Sequence, residues 1–274
     1  MARTYDPGRP PRALAVIVWC YLAWSLLPIA LVVRASFTAG DSSTQLSGGS
    51  WQWYRAALDD DEYRGSLLQS IQLAVLTTVI VFPLGVSAAL GLSRWRGRWG
   101  EAGRGLVLFA IAVPQLVLGG ALFIVFTKVP SLRLGTTAQV LGHITLTLPF
   151  VIVVVWASLL SIGRDQEEGA MDLGATEGQA LGRVVVPQVA PALLAGAVVA
   201  WVLSFDNLVI SRWLCIRSDC ATLPMQIYGR GAPRANPILY AYGSVGLAMT
   251  LTLATVAAPW LLRVVRRRAA TGAA

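Results

Sequence analysis

Six stretches of this chain contain no Asp, Glu, Lys or Arg: Ala13 to Val33, Gly65 to Ser93, Gly105 to Thr127, Leu134 to Gly163, Val184 to Phe205 and Ala235 to Leu262. Each reaches the roughly 20 residues that an α-helix needs to cross about 30 Å of hydrocarbon. Lipid offers no hydrogen bonds, so a crossing segment must satisfy its own backbone, as a helix or within a closed barrel. Barrel strands alternate apolar and polar residues over about 10 positions, whereas these runs are continuously apolar. The sequence therefore predicts an all-α membrane protein with six transmembrane helices, near 13–33, 66–93, 105–127, 136–160, 189–210 and 238–262, in a single domain over 1–274. A content of 55% hydrophobic against 13% charged residues excludes an ordinary soluble domain. The first run is too long for a signal peptide and continues apolar past Ser25-Leu26-Leu27-Pro28 without a small-residue cleavage site, so it is expected to stay as an anchor.

Basic residues orient the spans. Arg3, Arg9 and Arg12 before the first span, Arg94, Arg96, Arg98 and Arg104 after the second, and Arg263, Arg266, Arg267 and Arg268 after the sixth place both termini and that loop in the cytoplasm. The loop from Arg34 to Arg64 carries Asp41, Asp59, Asp60, Asp61 and Glu62 and belongs outside. Lys128, Arg133, Arg212, Arg217, Arg230 and Arg234 run against the rule but do not outweigh it. The net charge of +8 thus reads as membrane orientation, and no basic and aromatic clustering points to nucleic acid.

Between spans 1 and 2, Gly40 to Ser50 reads as a flexible linker and Trp51 to Leu58 as a short amphipathic segment whose aromatic residues sit at the interface. Asp59 to Glu62 reads as a solvated turn. Pro83, Pro114, Pro149, Pro191 and Pro259 fall inside spans and mark kinks. Cys20 is an apolar filler, while Cys215 and Cys220 share an outer loop, where a disulfide and two free thiols are both open.

One loop departs from this plan. Between spans 4 and 5, residues 164–188 set Asp165, Glu167, Glu168, Asp172 and Glu177 against Arg164 and Arg183, an acidic balance on the side where basic residues are expected. Asp165 with Glu168 has the spacing of a capping box for a short helix ending near Leu173. Gly174 stops that helix, and Thr176 with Gln179 opens a second one that Pro187 limits. Two capped helices exceed what a connection between spans requires. They suit a docking site for another protein or, equally, an ordinary pair of surface helices.

Glu168-Gly169-Ala170, three residues, Gly174, nine residues and then Val184-x-Val186-Pro187 resembles the EAA loop of ABC importer permeases, with Gly169 in place of the first Ala and Val in place of Ile and Leu. Ser66 to Ile71, His143-Ile144-Thr145, Leu148 to Val151, Leu203 to Ser211 and Thr222-Leu223-Pro224-x-x-Ile227-Tyr228 are similar to the second permease subunit of spermidine/putrescine importers. That family often has paired acids where this chain has Asp206 and Asn207. The resemblance implies the type I ABC importer permease fold, in a bacterial inner membrane. It implies ATPase coupling by Glu167, Glu168, Gly169, Ala170, Asp172, Gly174, Ala175 and Pro187. It also implies an ATPase dimer at the cytoplasmic face, a second homologous permease and an extracytoplasmic substrate-binding protein as partners.

The chain has no G-x-x-x-x-G-K-[ST] loop and a single lysine, Lys128, so ATP and Mg would be used by the partner ATPase, with no cofactor or metal held here. Asp206 adjoins span 5 without a charged neighbour in sequence. It is either an amine-binding group, with Trp201, Phe205 and Trp213 adding cation–π attraction, or a helix cap or ion-pair partner of Arg34 or Arg212. His143 reads either as a pathway ligand or as a hydrogen-bonded bundle residue. Polyamine import is the expected function. Its rivals are import of thiamine, ferric iron or another small solute, a stand-alone carrier or channel, and a structural scaffold.

Overall fold

A computed structural model of the chain describes residues 12–40, 48–231 and 237–271. Arg3, Arg9, Arg234 and most of the linker expected between Gly40 and Ser50 lie outside them. Among the described residues the elements are α-helical, apart from one π-turn and one 3-10 turn. Among the described residues five helices are long and apolar enough to cross a membrane, and the third apolar run is a pair of helices bent by 102°. The residues divide into two packing units, 1–60 with 230–247 and 61–229 with 248–274.

In the first unit, α1 (Arg12–Ser36) has none of its apolar span buried within the chain, as expected of a helix that faces lipid. The short α2 (Gln52–Asp59) folds back on the end of α1. Phe37, Trp51 and Tyr54 pack ring to ring with centroids 4.8–5.3 Å apart, and Trp53 Nε1 donates to the Thr38 carbonyl at 2.8 Å. The indoles and the phenol therefore have a structural role. Asp60 is not a solvated turn residue: its carboxylate pairs with Arg230 and accepts a 2.7 Å hydrogen bond from the Tyr242 hydroxyl. A half-buried carboxylate held by a guanidinium and a phenol is retained where a lone one would be costly.

The second unit is centred on α3 (Asp61–Arg94), which bears Asp61 and Glu62 on its first turn, where the helix dipole favours negative charge. α4 (Arg98–Ala112) and α5 (Gln115–Thr127) come from the third apolar run, which was expected to make one span at 105–127 with a kink at Pro114. Pro114 has no N–H to continue α4, and Val113 before it takes an extended conformation (φ −69, ψ 122), so the run turns there. Pro83, Pro149, Pro191 and Pro259 instead sit inside helices that continue past them.

α6 (Thr136–Ile162) leads to α7 (Asp165–Asp172) and α8 (Glu177–Ala180). α9 (Val186–Phe205), α10 (Val209–Leu214) and α11 (Leu223–Gly231) follow, and α12 (Pro237–Thr271) closes the chain. α3, α6 and α9 pack on one another around Val81, Ala89, Val151, Val155 and Ala200. Lipid tails are as apolar as these side chains, so close fit rather than escape from water holds such helices together. Gly85 allows it: a Cβ there would lie 2.7 Å from Val151 Cγ1. Phe126, Ala138, Leu146, Ile210 and Leu214 form a second cluster joining α5, α6 and α10.

Candidate functional site

The loop between α6 and α9 is built from two interlocked termini. α7 ends in a Schellman motif: Gly174 N–H donates to the Met171 carbonyl at 2.9 Å and Ala175 N–H to the Ala170 carbonyl at 3.0 Å. Gly174 holds φ +92, a left-handed conformation that glycine adopts without strain. Two residues later the expected capping box is present, with Gln179 N–H on Thr176 Oγ1 at 3.3 Å and Thr176 N–H on Gln179 Oε1 at 3.1 Å.

Two local expectations are corrected. Asp165 is the first residue of α7 and not its cap; Arg164 occupies that position, without a side-chain cap, and its carbonyl accepts from Glu167 and Glu168 N–H. Asp165, Glu167 and Glu168 act through the dipole of the first turn instead. Pro187 does not end the second helix. Leu181–Val185 forms a π-turn in which Val186 N–H reaches the Leu181 carbonyl, and helix runs on from Glu177 to Phe205. Pro187 lies on the first turn of α9, beyond that wider turn, where its missing N–H breaks nothing.

α7 is fastened on one side and free on the other. Glu167 pairs with Arg94, the last residue of α3, and Gln188 Nε2 of α9 donates to Gln166 Oε1 at 2.5 Å. Asp172, Leu173 and Gly174 are exposed, Leu173 to 91%, and Glu168, also exposed, borders a recess that Arg94, Arg164 and Glu167 line as well. Gly169, Ala170 and Ala175 are half-buried. Glu167 is thus held internally, whereas Glu168 is free to meet a partner. The exposure of Leu173 was not foreseen, although a leucine alone between Asp172 and Gly174 was a visible signal. The Arg94–Glu167 pair gave none, because 73 residues separate its members.

The remaining site residues gather at the other end of α9. Its 20 residues extend about 30 Å, so the loop and Asp206 lie at opposite ends of one rod. Asp206 ends α9, its side chain is exposed, and among the described residues it has no ion pair; Arg212 is not its partner. Trp201 and Phe205 stack one turn apart with centroids 4.7 Å apart and planes within 9°, Phe205 being buried. Trp213 lies elsewhere, against Gly119 and Gly120, and with Arg212 and Tyr228 lines an apolar groove.

The reading of His143 as a pathway ligand gives way in this conformation. The ring is fully buried, with Nδ1 2.8 Å from Ser204 Oγ and Nε2 3.0 Å from Ser211 Oγ, so both nitrogens are used in joining α6 to α9 and α10. One turn earlier, Gln139 Nε2 donates to the Cys220 carbonyl at 3.2 Å, and Cys215 and Cys220 are joined by a disulfide. Asn207, in place of the second acid that the resembled family often has, donates to Gln115 Oε1 at 3.2 Å and accepts Ile210 N–H at 2.8 Å. An amide makes both bonds, whereas a carboxylate has no donor for Gln115.

A model of the family described as binding-protein-dependent transport system inner membrane component matches residues 81–271. The chain is 27% identical over 241 residues to the spermidine/putrescine transport system permease protein PotC of Haemophilus influenzae, covering 88% of this chain and 92% of that protein. It is 29% identical over 232 residues to the putrescine transport system permease protein PotI of Escherichia coli, covering 80% and 82%. Among solved structures, a chain of a bacterial ABC transporter involved in import of the acidic polysaccharide alginate superposes with a TM-score of 0.72 at 15% identity, over 92% of this chain and 95% of that one.

Proposed function

The chain belongs to the family of binding-protein-dependent transport system inner membrane components, and on that premise we propose that it is the permease subunit through which an ABC importer carries polyamines into the cytoplasm. Both termini and the 164–188 loop face the cytoplasm in this reading. There the loop meets an ATPase dimer that uses ATP and Mg, while a second permease completes the pathway and an external binding protein delivers the solute.

The observation that carries this reading is the continuous helix from Glu177 to Phe205. One end adjoins a capped module whose apolar tip, Leu173, is 91% exposed, and the other ends at Asp206, which has no ion pair among the described residues. A groove on the ATPase would cover Leu173 and Gly174. Closure of the ATPases on ATP would push α7, and the rod would carry that displacement toward the solute path. This is alternating access driven from one end. A carboxylate next to an aromatic stack suits a flexible cation, and the similarity to two permeases named for spermidine and putrescine supports the same class.

The deciding experiment measures ATP hydrolysis by the co-purified complex in lipid, with its binding protein, with and without spermidine or putrescine. Stimulation by either polyamine is expected. Recruitment of an ATPase with stimulation by thiamine or ferric iron instead would keep the coupling and overturn the solute, and failure to recruit an ATPase would overturn both.

A further inference from the structure

Where α3 meets α7, a cavity of about 160 Å³ opens between the last turns of α3 and α6 and the π-turn before α9. Its lining is of two kinds. Leu90, Leu160 and Val185 give it apolar walls, and Arg94, Arg96 and Arg164 bring three guanidinium groups to its rim. A single carboxylate, Glu167, faces them and is engaged by Arg94. Arg164 also lines the adjoining recess with Glu168 and Glu177, while Arg96 does not; among the described residues, neither Arg96 nor Arg164 makes an ion pair or a side-chain hydrogen bond.

The surroundings place this rim at a bilayer surface. Trp95 and Trp99, next to Arg94 and Arg96 in the chain, are 59% and 78% exposed, and indoles in this setting favour the headgroup level. Leu160 is itself exposed, so the apolar wall continues outward onto the face of α6. A small anion in water would need the arginines and not the wall. An acyl chain would need the wall and not the arginines. Only an amphiphile with an anionic head uses both, and the planar guanidinium fork matches phosphate oxygens in pairs.

We propose that this cavity binds the phosphate of an anionic phospholipid, held by Arg96 and Arg164, with an acyl chain lying along Leu90 and Leu160. Basic pockets between helices at the membrane surface take such headgroups on general electrostatic grounds. The bound phosphate would sit beside Arg94 and draw on the same guanidinium that holds Glu167. Lipid occupancy would then bear directly on how firmly α7 is anchored. The proposal stands on the cavity and does not depend on which solute the protein moves.

The test is native mass spectrometry of the full-length protein in detergent, titrated with phosphatidylglycerol, with phosphatidylcholine as the zwitterionic control and inorganic phosphate as competitor. The wild type is expected to retain one phosphatidylglycerol in preference to phosphatidylcholine. Arg96→Gln with Arg164→Gln should weaken that retention about tenfold and leave phosphatidylcholine unchanged. Among the described residues neither side chain makes an ion pair or a side-chain hydrogen bond, so the variant should unfold at the wild-type temperature. Leu160→Asp, on the exposed wall, is the second variant and should weaken lipid retention while both arginines remain. Equal retention of phosphatidylglycerol by wild type and variants, equal retention of both lipids by the wild type, or displacement of the lipid by millimolar inorganic phosphate would each overturn the proposal.

Discussion

Arg94 and Glu167 join the end of α3 to the first turn of α7 in an ion pair whose side chains are only 35% and 14% exposed. Partial burial puts the pair between the exposed kind, which contributes little, and the fully buried kind, which leaves a costly orphan when broken. Glu167→Gln is expected to lower stability by about 1 kcal/mol, and Arg94→Gln by a similar amount. More telling is the number of solute molecules carried per ATP hydrolysed. It should fall in either single variant and recover in the exchange Arg94→Glu with Glu167→Arg. If the exchanged pair were no better than the single variants, the link between α3 and α7 would have no part in coupling.

Gly174 and Gly178 make a matched comparison, because a Cβ at either would meet open space while only Gly174 has positive φ. Gly174→Ala should destabilise the end of α7 by about 1–2 kcal/mol and reduce ATPase recruitment. Gly178→Ala, in helical backbone, should be neutral or slightly stabilising. Pull-down of the ATPase together with thermal unfolding reads both.

For Leu173, exposure separates folding from docking. Leu173→Ala should leave the unfolding temperature unchanged and weaken ATPase association about tenfold, the loss expected when an interface anchor is truncated. An unaltered affinity measured by titration would move the contact to Glu168 or Asp172.

His143 and Asp206 should respond in opposite ways. His143→Ala strands the Ser204 and Ser211 hydroxyls in a buried setting and is expected to destabilise the protein by about 1–3 kcal/mol, with no change in solute preference. Asp206→Asn changes an exposed group, so stability should stay within about 0.5 kcal/mol. The polyamine concentration that half-saturates ATPase stimulation should rise about tenfold, the loss of one charged contact. Thermal unfolding and dose–response curves on the two variants check this, and a shifted dose–response in His143→Ala alone would reverse the assignment.

The apolar runs were legible because hydrocarbon thickness sets their length whatever packs around them. Thr176 and Gln179 were legible for a related reason: a capping box is closed within four residues. Pro187 misled, since whether a proline ends a helix depends on the turn before it, and the π-turn at Leu181–Val185 has no local signature. Pro114 announced a kink and not a 102° bend, which also engages Gln115 with Asn207 across 92 residues. Asp60 read as a solvated acid and Glu167 as one facing a partner protein because the residues that hold them, Arg230 and Arg94, are 170 and 73 residues away. What escaped the sequence in each case was long-range pairing of charge or a backbone geometry that only packing selects.

The π-turn holds one residue more than α-helical winding would place there, and a residue of α-helix is about 100° of rotation. Excising one residue between Leu181 and Val185 would therefore restore ordinary winding while leaving the faces of α8 and α9 pointed as they are. A deletion anywhere else between Glu177 and Phe205 would spin one half against the other by that angle. This makes the segment a natural splice point, the one stretch of the rod where its length can change without its aim.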